Sequence, residues 1–183
     1  MNLPAGLLPN DCNIELFADP KQFGKCYWIQ NGQTRQFCEL PIQIIVTLYA
    51  ELYKDRKALS ALKMMGVSKD SEMLETYNYC NRGKLDSDPD ITPSGKLHKD
   101  FFDCGRHGKC IGEGKVCSMH GLTFRELQCF RLNGMGLNYD QIKSEMGFRT
   151  KTAVNSLMER LRNKLDVKDR TELSIKAHQI GIV

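Results

Sequence analysis

Hydrophobic and polar positions divide the first two thirds of the chain into stretches of different periodicity. Near the N-terminus, apolar residues flank the pair Asn31-Gly32, which favours the positive φ angles of a tight turn and predicts a β-hairpin over 25–37. From 41 to 80, apolar residues recur every three or four positions, which predicts two or three amphipathic helices. Residues 81–118 are polar and interrupted by Gly and Pro. So long an irregular stretch rarely holds its shape unaided inside a compact protein.

Helical periodicity returns in the last third. Two capping boxes, each of which satisfies free N–H groups at the start of a helix, are formed by Thr123 with Glu126 and by Asn138 with Gln141. Apolar residues spaced four, three and four apart predict a third helix over 151–165, and a fourth helix is predicted over 171–180. A short helix, a tight turn and a longer basic helix make a helix-turn-helix, whose second helix fits the DNA major groove.

Charge is distributed unevenly along a chain of otherwise ordinary composition. The 183 residues are 41% hydrophobic, which is typical of a globular protein and excludes a wholly disordered or collagen-like chain. Residues 122–183 hold 11 Lys and Arg against 7 Asp and Glu, whereas the residues before them hold 15 of each. The net charge of +4 therefore belongs to the last third, and we expect that end to meet a polyanion.

No targeting or catalytic pattern is recognisable. Residues 1–19 contain no Lys or Arg, and the most apolar stretch, 40–50, is far shorter than the ~20 residues of a membrane helix. We therefore expect a cytoplasmic protein with no membrane partner. The spacings of catalytic triads, of paired carboxylates and of phosphate-binding loops are missing from the sequence, so we do not expect an enzyme.

Several short motifs follow one another in a fixed order along the basic third. They are Leu122-Thr-Phe-Arg-Glu, Gly136, Ile142, Ala153-Val154, Lys164-Leu165-Asp-Val167, Arg170-Thr-Glu and a closing Gly181-Ile-Val. In this order and spacing they resemble the LuxR/GerE-type helix-turn-helix of FixJ- and NarL-like regulators. The resemblance implies a four-helix domain that binds double-stranded DNA, with a homodimer formed through the helix at 171–180.

The same resemblance assigns roles along the third helix of this domain. The residues that match the base-reading positions of the family are Asn155, Ser156 and Glu159. The residues that lie near phosphates by the same comparison are Lys151, Thr152, Arg160, Arg162 and Lys164. Glu159 places a carboxylate where the family commonly has a basic residue, and since a carboxylate can accept from cytosine N4, this implies a different choice of DNA sequence.

Four of the eight cysteines lie close enough in sequence to share a metal. Cys80 ends the predicted helical stretch, and Cys104, Cys110 and Cys117 follow within the irregular segment. Four thiolates make a closed structural zinc site, which would give this segment the core that it lacks. Zinc is our first expectation, and a 4Fe–4S cluster, which also takes four cysteines, or separate reduced thiols are the alternatives. His107 is an alternative fourth ligand.

The other cysteines and one acidic run invite simpler interpretations. Cys12, Cys26 and Cys38 are too widely spread to be joined, so packed thiols are the simplest expectation for them. Cys129 falls at an apolar position of a helix, which predicts a buried side chain. The acidic run 86–90 lacks the terminal Glu of a calcium loop and is typical of a solvated turn.

Together these patterns predict a mainly α protein of two domains. Residues 1–118 form a small α+β cysteine-rich module of hairpin and helices closed by a metal, and residues 119–183 form a four-helix LuxR-type helix-turn-helix domain. The expected function is sequence-specific transcriptional regulation. An iron–sulfur redox-sensing regulator, and an adaptor that contacts RNA polymerase or a sigma factor, are the alternatives.

Overall fold

The computed structural model describes residues 3–106, 109–117, 122–180 and 182–183. The chain forms two compact units, Met1–Ser118 and Met119–Val183, which we call the N-terminal and C-terminal units. Within the described ranges the protein is mainly helical, with seven α-helices and one small antiparallel sheet. None of these helices combines the length and apolar character that crossing a bilayer demands.

The sheet of the N-terminal unit has three strands in the order β1-β2-β3. The strands are β1 (Glu15–Ala18), β2 (Cys26–Gln30) and β3 (Gln33–Gln36). The predicted hairpin is confirmed: β2 and β3 pair antiparallel around Asn31 and Gly32, whose φ angles are 52° and 74°. β1 adds a third strand that was not predicted, and it pairs Leu16 with Trp28. Both side chains point into the core, where they are fully buried.

Three helices follow the sheet and pack against one another, and the third of them contacts β1 and β2. They are α1 (Ile42–Lys54), α2 (Arg56–Met64) and α3 (Asp70–Asn81), and a short 3-10 helix, Phe37–Glu39, precedes them. The Asp55 carboxylate accepts the N–H of Ala58 and so caps α2. Leu48, Leu62 and Tyr77, one from each helix, are fully buried and join the core below the sheet. The predicted helical stretch 41–80 is thus confirmed as three helices.

Polar contacts hold the irregular segment that follows α3. Asn81 at the end of α3 donates from its amide nitrogen to the carbonyl oxygens of Tyr77 and Val116, each at 2.8 Å. Arg82 is fully buried, and its Nη2 lies 2.8 Å from Glu51 Oε2. Among the described residues after Arg82 and before α4, no helix or strand forms, although two isolated β-bridges do. The segment is therefore fastened by side chains and by isolated backbone hydrogen bonds, such as those between Ile14 and Ile91, rather than by helices or strands.

The expectation that the acidic run 86–90 is a solvated turn is wrong for its last residue. Asp90 is buried and its carboxylate accepts the N–H of Leu16 at 2.8 Å. Glu15 is fully buried beside it and accepts the N–H groups of Asp86 and Asp90 at 2.8 and 3.3 Å. Burial raises the pKa of Glu15 to about 9 and that of Asp100 to about 7. This acidic cluster joins β1 to the irregular segment.

The C-terminal unit contains four helices. They are α4 (Phe124–Gly134), α5 (Tyr139–Glu145), α6 (Lys151–Leu165) and α7 (Arg170–Gln179). Both predicted capping boxes are present, and the predicted bounds of the third helix agree with those of α6. Cys129 is confirmed as a core residue, since it is fully buried with its Sγ 3.6 Å from Met158 Sδ. The apolar faces of all four helices meet in one core.

Candidate nucleic-acid interface and cysteine cluster

Helix α6 has one buried apolar face and one exposed polar face. Its buried residues are Val154, Leu157, Met158 and Leu161. Since each residue advances 100° around a helix, the opposite face carries Thr152, Asn155, Ser156, Glu159 and Asn163, all of which are exposed. The structure thus places the three predicted base-reading residues on one surface. It adds Asn163, which the same 100° periodicity would have found four residues after Glu159.

Cationic side chains border this exposed face on both sides. Arg160 and Lys164 follow one edge of the helix, while Lys151 and Arg162 follow the other. Arg160 is exposed, and its Nε donates to the carbonyl oxygen of Ser156 at 3.3 Å. A polar face that offers donors and acceptors, flanked by positive charge, is suited to base edges lying between two phosphate backbones.

Two of the predicted phosphate contacts take part in ion pairs within the C-terminal unit. Lys164 Nζ lies 2.8 Å from Glu126 Oε2, and the Glu126 side chain is only 3% exposed. Lys151 Nζ lies 2.7 Å from Asp140 Oδ2, but both of those side chains are largely exposed. Since an exposed pair contributes little, Lys151 can exchange its partner at small cost, whereas Lys164 anchors α6 to the start of α4.

The four predicted metal ligands are brought to one place in the N-terminal unit. Cys80 comes from the end of α3 and Cys104, Cys110 and Cys117 from the irregular segment, and all four line one cavity. Its free space is about 10 Å³, roughly what one water molecule needs. Burial raises the pKa of Cys80, and the neighbouring thiols at 117, 104 and 110 raise it further. The cavity therefore has room for a single ion, and a larger group would have to displace its walls.

The thiols share a cavity without converging on a point. Among the described residues, no three His, Cys, Asp or Glu side chains stand close enough together to hold a metal ion. All eight cysteines are free thiols. The alternative ligand His107 lies outside the described residues. A metal would therefore have to draw the four thiols inward, and zinc and iron–sulfur binding both stay predictions.

The remaining predicted features are three cysteines of the N-terminal unit and the predicted dimerisation helix. The expectation of a packed thiol is confirmed for Cys26, which is buried, and is wrong for Cys12 and Cys38, which are exposed because one lies in a surface loop and the other in the short 3-10 helix. Helix α7, the predicted dimerisation helix, turns its buried Leu173 and Ala177 inward, where they contribute to the core of the C-terminal unit. Ile175 on the same helix is 52% exposed. The homodimer through α7 stays a prediction.

Comparison of the chain with protein families, with curated proteins and with solved structures finds no match.

Proposed function

We propose that the protein is a sequence-specific DNA-binding regulator of transcription, in which α6 enters the major groove of double-stranded DNA. The observation that carries this proposal is the exposed face of α6: a row of polar side chains with cationic residues on both edges. A merely solvated helix face does not need amides and hydroxyls in the middle with positive charge confined to the sides. The resemblance of residues 122–183 to LuxR-type domains supports the same assignment.

Each side chain of this face has a chemical role in the proposed complex. The Asn155 amide can pair with adenine, the Ser156 hydroxyl can donate or accept, and the Glu159 carboxylate can accept from cytosine N4. Arg160, Arg162 and Lys151 neutralise phosphates and release counterions, which supplies affinity that depends on salt and not on sequence. Lys164 supports α6 through Glu126. We further propose that two copies bind two half-sites, with α7 at the contact between them.

We propose that the four-cysteine cavity holds a structural zinc ion. Four thiolates satisfy the tetrahedral preference of zinc and leave no open position for catalysis. The cavity space of about 10 Å³ suits one ion better than a 4Fe–4S cluster, which would have to displace Phe23 and Phe102 from the walls. Bound zinc would fasten Cys104, Cys110 and Cys117 to the end of α3. A zinc ion bound in this way would have a structural role.

An adaptor that contacts RNA polymerase or a sigma factor is the second candidate function. It is favoured by α1, on which the side chains of Ile42, Val46 and Tyr53 are 66%, 60% and 50% exposed. An exposed apolar row of this kind is typical of surfaces that bind other proteins. The adaptor and the DNA-binding regulator differ in one property, because only the regulator binds duplex DNA with sequence preference.

Selection of duplexes from a random-sequence pool, followed by mobility shifts over a salt series, tests the proposal. We expect a preferred sequence, and we expect Asn155→Ala to weaken binding to it by roughly 10- to 100-fold while unrelated duplexes are bound as before. Gln128→Ala, an exposed amide on α4, is the matched control and should change nothing. A protein that selects no sequence at any salt concentration contradicts the proposal and leaves the adaptor.

A further inference from the structure

A groove of about 420 Å³ opens beside the exposed face of α6. The first turn of α4 contributes Thr123, Arg125 and Glu126 to its walls, and α6 contributes Ser156 and Arg160. Phe148, in the turn between α5 and α6, also lines the groove. Ser156 therefore belongs both to the proposed base-reading face and to this groove.

The groove carries positive charge that the protein does not neutralise. Its one carboxylate, Glu126, is paired with Lys164 at 2.8 Å and also accepts the Thr123 N–H at 2.7 Å. Burial acts to raise the pKa of Glu126, but these hydrogen bonds outweigh it and hold the pKa below its usual value, so Glu126 stays ionised and matched. Within the described part of the chain, no carboxylate lies within 4 Å of the guanidinium of Arg125 or Arg160.

Both guanidinium groups are held in place before any ligand arrives. The Arg125 Cζ lies 5.6 Å from the centre of the Phe148 ring, over its face, where a cation is attracted by the π-electrons. The Arg160 Nε donates to the Ser156 carbonyl oxygen, which leaves the terminal nitrogens available. Two like charges in one groove repel, and a bound anion would relieve that repulsion.

We propose that this groove binds a backbone phosphate of the DNA, held between Arg125 and Arg160 with the Ser156 hydroxyl as a further donor. The inference rests on the proposed function, since it assumes that α6 lies in the major groove. A helix in that position has a phosphate backbone along each flank, and the groove opens on one flank. The fork of an arginine matches phosphate oxygens with two parallel hydrogen bonds, which a lysine does not provide.

The test measures affinity against salt for Arg125→Gln and Arg160→Gln, on both the selected site and an unrelated duplex. The slope of log K against log salt is negative, and loss of one phosphate contact should reduce its magnitude by about 0.9. The affinity for the selected site and the affinity for the unrelated duplex should fall by similar factors. Arg131→Gln is the control, because Arg131 is an exposed arginine on the same helix whose direction differs from that of Arg125 by about 120° around the helix axis. It should leave the slope unchanged.

The outcomes separate this inference from the proposed function. A wild-type protein that binds no duplex overturns both. Duplex binding with an unchanged slope for Arg125→Gln overturns only the phosphate site, as does a loss confined to the selected sequence, which would indicate a base contact. Inorganic phosphate, added at constant ionic strength, should not displace DNA at millimolar concentration, and displacement would assign the groove to free anions.

Discussion

The two units of the protein bury different kinds of side chain. The N-terminal unit buries the ionisable residues Glu15, Arg82 and Asp90 beside its apolar core. The C-terminal unit buries an apolar core, and its single buried carboxylate among the described residues, Glu126, is matched by a half-exposed Lys164. Burying charge is expensive unless each group is paired, so the N-terminal unit depends on its polar contacts in a way that the C-terminal unit does not.

The distance in sequence between contacting residues also differs. In the C-terminal unit, the capping boxes of α4 and α5 each join residues three positions apart. In the N-terminal unit, the hydrogen bond from Leu16 to Asp90 spans 74 positions, and that from Asp86 to Glu15 spans 71. Contacts such as the capping boxes are specified by short segments, whereas polar contacts between residues more than 70 positions apart close long loops and gain from additional fastening. The four-cysteine cavity lies between the end of α3 and the irregular segment, so a metal bound there would join the two.

The largest expected effect is that of metal removal, which should destabilise the N-terminal unit and leave the C-terminal unit unchanged. We expect a chelator, or Cys80→Ser, to abolish cooperative unfolding of the N-terminal unit, because a structural zinc contributes on the order of 10 kcal/mol in small domains. Trp28 is the only tryptophan and is buried in that unit, so its fluorescence reports on the N-terminal unit alone. Unfolding of the C-terminal unit, followed as the loss of helical circular dichroism that Trp28 fluorescence does not report, should not change.

The matched controls are Cys12→Ser and Cys38→Ser, since both thiols are exposed and lie outside the cavity. They should leave Trp28 fluorescence and unfolding as in the wild type. Chelation without effect on Trp28, in protein shown to contain a metal, would contradict a structural role for the site.

The second-largest expected effect is that of a rise in pH, which should lower the stability of the N-terminal unit and not that of the C-terminal unit. Asp100 and Glu15 have folded-state pKa values raised to about 7 and about 9, so their contribution to stability is complete below their unfolded pKa values and is lost as pH rises through the folded ones. We expect the N-terminal unit to lose on the order of a few kcal/mol between pH 6 and pH 9.5. The pKa of Glu126 is lowered, so the C-terminal unit should be insensitive over that range.

Denaturant unfolding at several pH values, followed by Trp28 fluorescence, measures this loss. Asp100→Asn should remove the part of the decline that ends near pH 7, because the amide cannot ionise, and it should leave the Glu15 part, which continues up to about pH 9. An N-terminal unit equally stable at pH 6 and pH 9.5 would show that these carboxyls have ordinary pKa values.

The two units also differ in how far sequence reasoning predicted them. The bounds of α6 follow from its apolar period and its position after a tight turn, both of which lie within some fifteen residues. β1 and the burial of Asp90 were missed, because their partners are distant in sequence and an acidic run ordinarily favours solvent. Local patterns are visible in one sequence, and pairings across 74 positions are not.

The same limit applies within the candidate interface. The exposed face of α6 was predictable from a spacing of 100° per residue, and Asn163 was within reach of that rule. The pairing of Lys164 with Glu126, which are 38 positions apart, was not predictable in this way, and the family resemblance implied only that Lys164 lies near a phosphate. The groove around Arg125 was missed for a related reason, since it forms only where Phe148 and Arg160 come together with Arg125 in the fold.

The smallest expected effects distinguish the two lysines of α6 that form ion pairs. Lys164 is expected to anchor the helix to α4, and Lys151 is expected to bind a phosphate. Lys164→Met should destabilise the C-terminal unit by about 1–2 kcal/mol, because Glu126 is left buried with Thr123 as its one remaining partner among the described residues, while the salt dependence of DNA binding stays near that of the wild type. Lys151→Met removes an exposed pair and should cost less than about 0.5 kcal/mol. Its salt slope should instead fall by about 0.9, as expected for a phosphate contact. Reversal of these two patterns would mean that Lys164 leaves Glu126 for the DNA.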